Sequence, residues 1–319
     1  MTSVDRAQSN LLSIRDHESL EWESVGCNLC GTSTTSFTRR RTYHQLQCDL
    51  IYNLCLNCDL LYLNPRPTTH SLTKLYASRE YFQGGSKSIG YSDYLGEESF
   101  RRKTARAKLL RLEQMLGRKG RLLEIGCAAG FFAVEARDRG WQVTGIDISQ
   151  PMVDYARNKF SLEAYAVSLE ALDPQTHLQI RQDSFDVVTC WGTTSNFVKP
   201  LDNFRKINGL LKDSGIFIFN ATNHRSLTAH FFGSHWFLYG PSSAHIYSRG
   251  SIRKLLKISG FVERKISLDW YHLTLSKFVS KLPVLLGRSF NRWPSVRLME
   301  NHAFSFPNLG YYEVIASKK

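Results

Sequence analysis

The stretch Arg121–Asp147, RLLEIGCAAGFFAVEARDRGWQVTGID, decides the fold. An apolar run, Leu122, Leu123 and Ile125, leads into a turn of small residues, Gly126, Cys127, Ala128, Ala129 and Gly130. A helical stretch follows from Phe131 to about Arg139. A second apolar run, Val143 to Ile146, then ends on the acid Asp147. Strand, tight turn, helix and strand, with a carboxylate at the carboxyl end of the second strand, describe a nucleotide-binding βαβ unit. Small residues let a ligand approach the backbone closely, and an acid at that distance accepts hydrogen bonds from ribose hydroxyls.

The alternation continues downstream. Pro151 to Phe160 reads as a helix with Ser149 as its cap and proline in its first turn. Glu163 to Val167 is a short third strand. Ser184 to Trp191, SFDVVTCW, is a fourth, nearly continuously apolar as expected for a strand buried on both faces. Pro200 to Leu211 is a helix, Gly215 to Asn220 a fifth strand, and Arg249 to Ser259 a helix closed by Gly260. Phe261 to Ser267 and Tyr311 to Ala316 complete seven strands. The expected class is α/β, a doubly wound, Rossmann-like seven-stranded sheet.

Upstream lie Cys27-Asn-Leu-Cys30 and Cys55-Leu-Asn-Cys58, two CxxC pairs 24 residues apart. A CxxC turn places two thiolates on one knuckle, and two knuckles complete a tetrahedral zinc site. Cys27, Cys30, Cys55 and Cys58 are therefore the expected ligands of a structural zinc ion, with no open coordination position for catalysis. The metal would supply stability that so short a segment cannot draw from its own core. Alternation around Tyr43, Leu46, Cys48 and Leu50 suits short strands, with Cys48 as a packing residue. The expected organisation is a flexible lead-in over 1–24, a zinc ribbon over 25–67, a helical linker and pocket cover over 68–118, and a nucleotide-binding domain over 119–319. Within the linker, Glu97 to Leu116 is the helix that enters the large domain.

The chain has 319 residues, 42% hydrophobic and 22% charged, and a formal charge of +13. No run of eighteen apolar residues is present, so no membrane span is expected. The first residues carry acids and no long apolar core, so no secretory signal is expected and the cytoplasm is the expected compartment. Cysteines there stay reduced, so the seven of them are read as metal ligands and packing residues, not as a disulfide framework. The positive charge suits an anionic small molecule. Basic clusters such as Arg39–Arg41 are not interleaved with aromatics, so a nucleic-acid surface is not expected.

The order Glu124, Gly126, Ala128, Gly130 resembles the E/D-x-G-x-G-x-G motif of class I S-adenosylmethionine-dependent methyltransferases, with alanine for the middle glycine. FDVVTCW and LLKDSGIFIFNATN stand where that family has its fourth and fifth strands. The four cysteines ahead of them, Tyr76, Glu80-Tyr81-Phe82, and His245-Ile246 with Ser259-Gly260-Phe261 resemble the subgroup with an amino-terminal zinc ribbon. The resemblance covers about 290 residues, from Cys27 to the last strand. It implies S-adenosylmethionine as cofactor. Glu124 and Gly126 would lie under its amino-acid part with Cys127, Ala128 and Gly130 completing the turn. Asp147 and Ile148 would lie at the ribose, Ser168 and Leu169 at the adenine, and Cys190 and Trp191 at the methyl. Ser195-Asn196 replaces a Glu-His pair that many relatives carry after the fourth strand.

Methyl transfer is a displacement at carbon activated by positive sulfur. It requires alignment and exclusion of water, and a base only for hydroxyl or acidic-carbon acceptors. The expected base is His245, in the loop His235 to His245, because histidine titrates in the useful range. Tyr76, Tyr81 and Tyr239 are further pocket candidates. Residues 272–287, HLTLSKFVSKLPVLLG, carry an apolar stripe that suits contact with a membrane surface, or covers the sheet or a pocket. The function implied is methylation of a small molecule, a sugar or nucleotide-sugar by resemblance. The alternatives are RNA or protein methylation, a cofactor-binding module without catalysis, and, more distantly, a nicotinamide dehydrogenase.

Overall fold

The computed structural model describes residues 20–43, 48–84, 90–91, 93–177, 184–274 and 303–319. The chain enters through buried Leu20 and Trp22–Glu23 (β1). Most of the expected lead-in, 1–19, lies outside the described residues, but its end is already ordered into a strand pair. Thr35–Tyr43 (β2) and Cys48–Cys55 (β3) form an antiparallel hairpin, and Leu61–Leu63 (β4) adds to β3. Arg66–Pro67 (β5) pairs back onto β1. Helices Thr69–Ala77 (α1) and Arg79–Gln83 (α2) follow, capped by the hydroxyls of Thr68 and Ser78. Glu98–Leu116 (α3) is closed by Gly117 in the left-handed conformation, φ 65°.

The large sheet then assembles as the alternation predicts. Arg121–Ile125 (β6), Phe131–Asp138 (α4) and Gln142–Asp147 (β7) form the βαβ unit. Gln150–Phe160 (α5), Ala164–Ala166 (β8), the short Pro174–His177 (α6), Phe185–Cys190 (β9), Pro200–Leu210 (α7) and Leu211–Thr222 (β10) continue it. Leu227–Phe232 (α8), Arg249–Ile258 (α9), Phe261–Thr274 (β12) and Ala303–Lys318 (β13) complete it, while His245–Ile246 (β11) leaves it for the small sheet. The strand order is β12-β13-β10-β9-β6-β7-β8, with β13 antiparallel to both neighbours. β6 pairs in parallel with both β7 and β9, so the connections reverse direction at its carboxyl end. Ligands bind at such a point in open α/β sheets.

Period-two alternation fills both faces of the sheet. Leu122, Val187 and Ile218 pack with Leu109 and Leu112 of α3 and Phe132 of α4. Their neighbours Leu123, Val188, Phe217 and Phe219 pack with Phe204 of α7 and Leu255 of α9. No helix among the described residues is long and apolar enough to cross a membrane.

Three expectations are corrected here. The Ser149 side chain does not cap α5; its hydroxyl is buried without a partner, while its backbone N–H donates to Asp147 Oδ1 at 2.8 Å. The last two strands are far longer than expected, because β12 and β13 prolong each other as an antiparallel ladder from Phe261↔Lys318 to Thr274↔Ala303. Residues 272–274 of the supposed amphipathic stretch therefore belong to a strand, and 275–287 lie outside the described residues. Finally, His245 is not in a loop. With Ile246 it forms β11, the edge of the four-stranded sheet β11-β4-β3-β2, paired with Tyr62.

Candidate active site

The turn after β6 forms the floor of the site. Gly126 and Ala128 both have positive φ, 73° and 45°. The N–H groups of Gly126 and Cys127 donate to the Ile146 carbonyl at 2.8 and 3.0 Å, which fastens the turn to β7. A Cβ at Gly126 would collide with the Thr193 hydroxyl, so glycine is required both by conformation and by space. Ala128 adopts the left-handed conformation at a cost of about 1–2 kcal/mol. Its N–H reaches Asp147 Oδ2 at 2.8 Å, which makes the strained turn and the acid one unit.

Asp147 therefore has one backbone donor on each oxygen and a lone pair left on each for a ligand hydroxyl. Burial pushes its carboxyl above the usual range, against those hydrogen bonds. Glu124, 4% exposed, is pushed well above that range by burial, with the nearby Asp147 charge adding to the effect. Its Oε2 is buried with no hydrogen-bond partner. A buried carboxylate oxygen without a donor is costly alone and well suited to a ligand ammonium.

Above this floor lies an open cavity. Glu124, Gly126, Cys127, Ala128, Asp147, Ile148, Ser168, Leu169 and Trp191 all line it, as do Tyr76 and Tyr81. Gly130, Cys190, Tyr239 and His245 do not. Gly130, φ 76°, opens α4, and a Cβ there would meet Leu162 and Ala156. Cys190 is fully buried in the sheet core, where burial raises its thiol. Tyr239 packs against Tyr52 of the small sheet, ring centroids 4.8 Å apart and planes tilted by 37°.

His245 is 1% exposed, and its Nδ1–H donates to the Phe197 carbonyl at 2.9 Å. Burial, with a contribution from Arg66, lowers its pKa to about 3. It is a neutral bracket between two parts of the molecule and not the base expected from its loop-like surroundings. Two more side chains close the same joint. Asn28 Nδ2 and Arg66 Nη1 both donate to the Val198 carbonyl, at 2.7 and 2.8 Å, and Phe197 and Val198 themselves line the cavity.

The four thiols of Cys27, Cys30, Cys55 and Cys58 lie within 4.8 Å of one another. The pairs Cys27–Cys58 and Cys30–Cys55 are each 3.4 Å apart. The hydrogen bond from Cys58 pulls the Cys27 thiol down to about 5. The two knuckles match. Gly31 N–H returns to the Cys27 carbonyl at 2.8 Å and Asp59 N–H to that of Cys55 at 3.0 Å, with φ of 73° and 59°. Asp59 is held in that conformation by a bidentate ion pair with Arg225. Tetrahedral zinc at about 2.3 Å from each sulfur sets the sulfurs roughly 3.8 Å apart, so the donor set and its spacing fit that ion. None of the four lines the cavity.

A polar cluster escaped sequence reasoning. Lys108 Nζ of α3 donates to Asp269 Oδ1 at 2.5 Å and Glu313 Oε2 at 3.2 Å. Arg111 pairs with the same Glu313 oxygen at 2.9 Å. Asn220 donates to Asp269 Oδ2 at 3.1 Å and accepts the Gly192 N–H at 2.6 Å. Lys108 and Asn220 line the cavity, beside Trp191, Arg101 and Tyr271. These residues are scattered over some two hundred positions with no period. The single available signal was a lysine in the buried stripe Thr104, Lys108, Leu112 of α3.

The fold, the reversal point at β6 and the paired acids define a Rossmann-like methyltransferase fold. The sequence profile of the methyltransferase-domain family matches residues 98–265, and the chain belongs to that family. It is similar to the ubiquinone biosynthesis O-methyltransferase of Azoarcus sp. (strain BH72), 25% identical over 178 residues, 50% of this chain and 76% of that one. YqeM of Bacillus subtilis (strain 168) is 27% identical over 114 residues, 34% of this chain and 45% of that one. The first curated relatives are matched over only 44–62% of their own lengths. Among solved structures, the magnesium protoporphyrin IX methyltransferase of Synechocystis PCC 6803, with bound S-adenosylhomocysteine, is similar in fold. It is 13% identical, with a TM-score of 0.51 over 79% of this chain and 100% of that one.

Proposed function

We propose that this chain transfers the methyl group of S-adenosylmethionine to a small-molecule acceptor, with a structural zinc ion in the four-cysteine unit. The unpartnered Glu124 Oε2 carries the reading, because Glu124 lines the cavity beside Asp147 and the Gly126–Ala128 turn. A dinucleotide would place a pyrophosphate at this turn, where a buried carboxylate oxygen would repel it. An amino-acid ammonium is attracted instead.

S-adenosylmethionine is consumed as the methyl donor, its positive sulfur supplying the leaving group. Glu124 would take its ammonium, Asp147 the ribose hydroxyls, Ile148 the sugar edge, and Ser168 and Leu169 the adenine. Gly126, Cys127 and Ala128 would admit it close to the backbone, and Trp191 would border the methyl. The name of the Azoarcus relative favours oxygen as the nucleophile. A cavity walled by Tyr76, Tyr81, Tyr91, Tyr94 and Trp191 suits the expected small-molecule acceptor. The zinc ion would hold the two knuckles, and we assign the protein to the cytoplasm, where four thiolates stay reduced and able to bind the metal.

Calorimetric titration of the full chain with S-adenosylhomocysteine, against nicotinamide adenine dinucleotide, tests the reading. Binding of the first and not the second is expected. No binding of S-adenosylhomocysteine by folded protein overturns it.

A further inference from the structure

The part of the cavity wall formed by 194–198 is strung between two supports. Its first two residues are tied to the large sheet. Thr194 Oγ1 donates to the Asn220 carbonyl at 2.6 Å, and Ser195 Oγ to Thr222 Oγ1 at 2.8 Å. Its last two are tied to the small unit. The Phe197 carbonyl accepts from His245 of β11, and the Val198 carbonyl from Arg66 of β5 and from Asn28. Three donors from three separate places in the chain thus converge on two successive carbonyls. Asn196, Phe197 and Val198 line the cavity.

Arg66 and His245 belong to strands whose places are set by main-chain pairing. Asn28 is different. It lies in the turn of the first knuckle, between Cys27 and Cys30. Buried Cys27 and Leu29 flank it, and the Gly31 N–H closes the turn on the Cys27 carbonyl. The knuckle itself sets the direction of the Asn28 side chain, and a zinc ion on Cys27 and Cys30 would lock that knuckle. At 2.7 Å the Asn28 bond is the shortest of the three. The wall it holds borders the donor. Phe197 shares a buried cluster with Leu169, the residue assigned to adenine. Val198 shares another with Ala128 of the turn beneath the donor.

We propose that Asn28 is a positioning residue: carried on the metal knuckle, it holds the Val198 peptide in the wall beside Leu169 and so couples occupancy of the four-cysteine site to affinity for the methyl donor. This rests on the methyltransferase and zinc readings above and gives the metal a role beyond the stability of the small unit. A donor packed against the wall favours the peptide orientation that accepts from Asn28. That orientation in turn favours the knuckle geometry in which the four sulfurs converge. The coupling is reciprocal: the factor that zinc adds to donor affinity is the factor that donor adds to zinc affinity. Asn28 acts through Val198 and takes no part in the transfer.

The test measures the zinc affinity of the full chain by competition with a chelating dye, with and without saturating S-adenosylhomocysteine. In the wild type the ligand raises zinc affinity by about fivefold or more. Asn28→Ala cuts that rise to less than about twofold. Asn28→Asp, equal in shape but with oxygen in place of the donor nitrogen, does the same. Both variants, loaded with zinc, lose affinity for S-adenosylhomocysteine by a similar factor in calorimetry. A residue that only supported the knuckle would change zinc affinity equally with and without the ligand. A rise absent from the wild type overturns the assignment. So does a full rise in the folded variants, because the coupling then runs through global folding. Wild type that binds zinc but not S-adenosylhomocysteine strikes the methyltransferase reading, and wild type that binds S-adenosylhomocysteine but no zinc strikes the metal reading. Either result takes this proposal with it, and the two are told apart by which ligand fails.

Discussion

In the large sheet, all six residues of β9 are buried; in the four-cysteine unit, β3 buries three of eight. The first strand is closed on both faces by helices and specifies its place with apolar contacts alone. The second belongs to a sheet too small to do so. Its deeper residues, among them Cys27, Cys55, Leu60 and Tyr62, join the same core cluster as Phe204 and Phe219 of the large domain. The small unit borrows its interior from its neighbour and is gathered at their junction by four sulfurs. Self-sufficient packing makes a fold that tolerates loss of any one polar contact. Borrowed packing makes one that depends on a few joints.

The largest test of that contrast is removal of the sulfurs. Cys27→Ser/Cys30→Ser is expected to abolish about one bound zinc per chain, measured by mass spectrometry, and to open residues 25–67 to protease. The destabilisation should far exceed the ~1 kcal/mol of an average substitution. Metal-free wild type with an intact small sheet would break the comparison.

Asp147→Ala strikes the other region and should leave the small one untouched. It removes acceptors for two ribose hydroxyls, and hydrogen bonds to charged groups contribute about 1.5–3 kcal/mol each. Affinity for S-adenosylhomocysteine should fall by about a hundredfold or more; an unchanged calorimetric constant would refute the ribose contact.

The joint between the regions is probed by pH. Unfolded, His245 takes up a proton near pH 6.5; folded, only near pH 3. Between those values the unfolded chain holds the extra proton, so stability is full above pH 6.5 and falls as pH falls. At pH 5 the loss from this residue is about 2 kcal/mol. His245→Gln should flatten the dependence of denaturation midpoint on pH over that window, relative to wild type, and an identical slope would show that the bracket is not buried in solution.

Glu124→Gln has the smallest expected effect, about tenfold or ~1.4 kcal/mol on the same affinity. In the free protein burial keeps this carboxyl protonated to higher pH than usual. A ligand ammonium favours the carboxylate, so wild-type affinity should rise with pH and binding should release protons. Calorimetry in buffers of different ionisation enthalpy should show that release in the wild type and a reduced one in the variant.

What was legible in the residues themselves was local. The period of 121–147, the turn of small residues and the near-continuous apolarity of 185–190 each settle an element from within a few positions. The acids Glu124 and Asp147 fall at the ends of such elements, so their convergence followed from the βαβ geometry. The CxxC spacing set both knuckles for the same reason. Only tertiary structure decided the rest. A two-residue strand has no period to read, so the sequence does not separate His245 from a loop residue, whereas its pairing with β4 does. The length of β12 and β13 is set by the ladder each offers the other, information that neither segment contains alone. Lys108, Asp269 and Glu313 meet because α3 crosses the sheet beside those strands. Hydrogen-bonding periodicity acts over a few residues and can be read in one dimension, whereas desolvated charges find partners by distance in three.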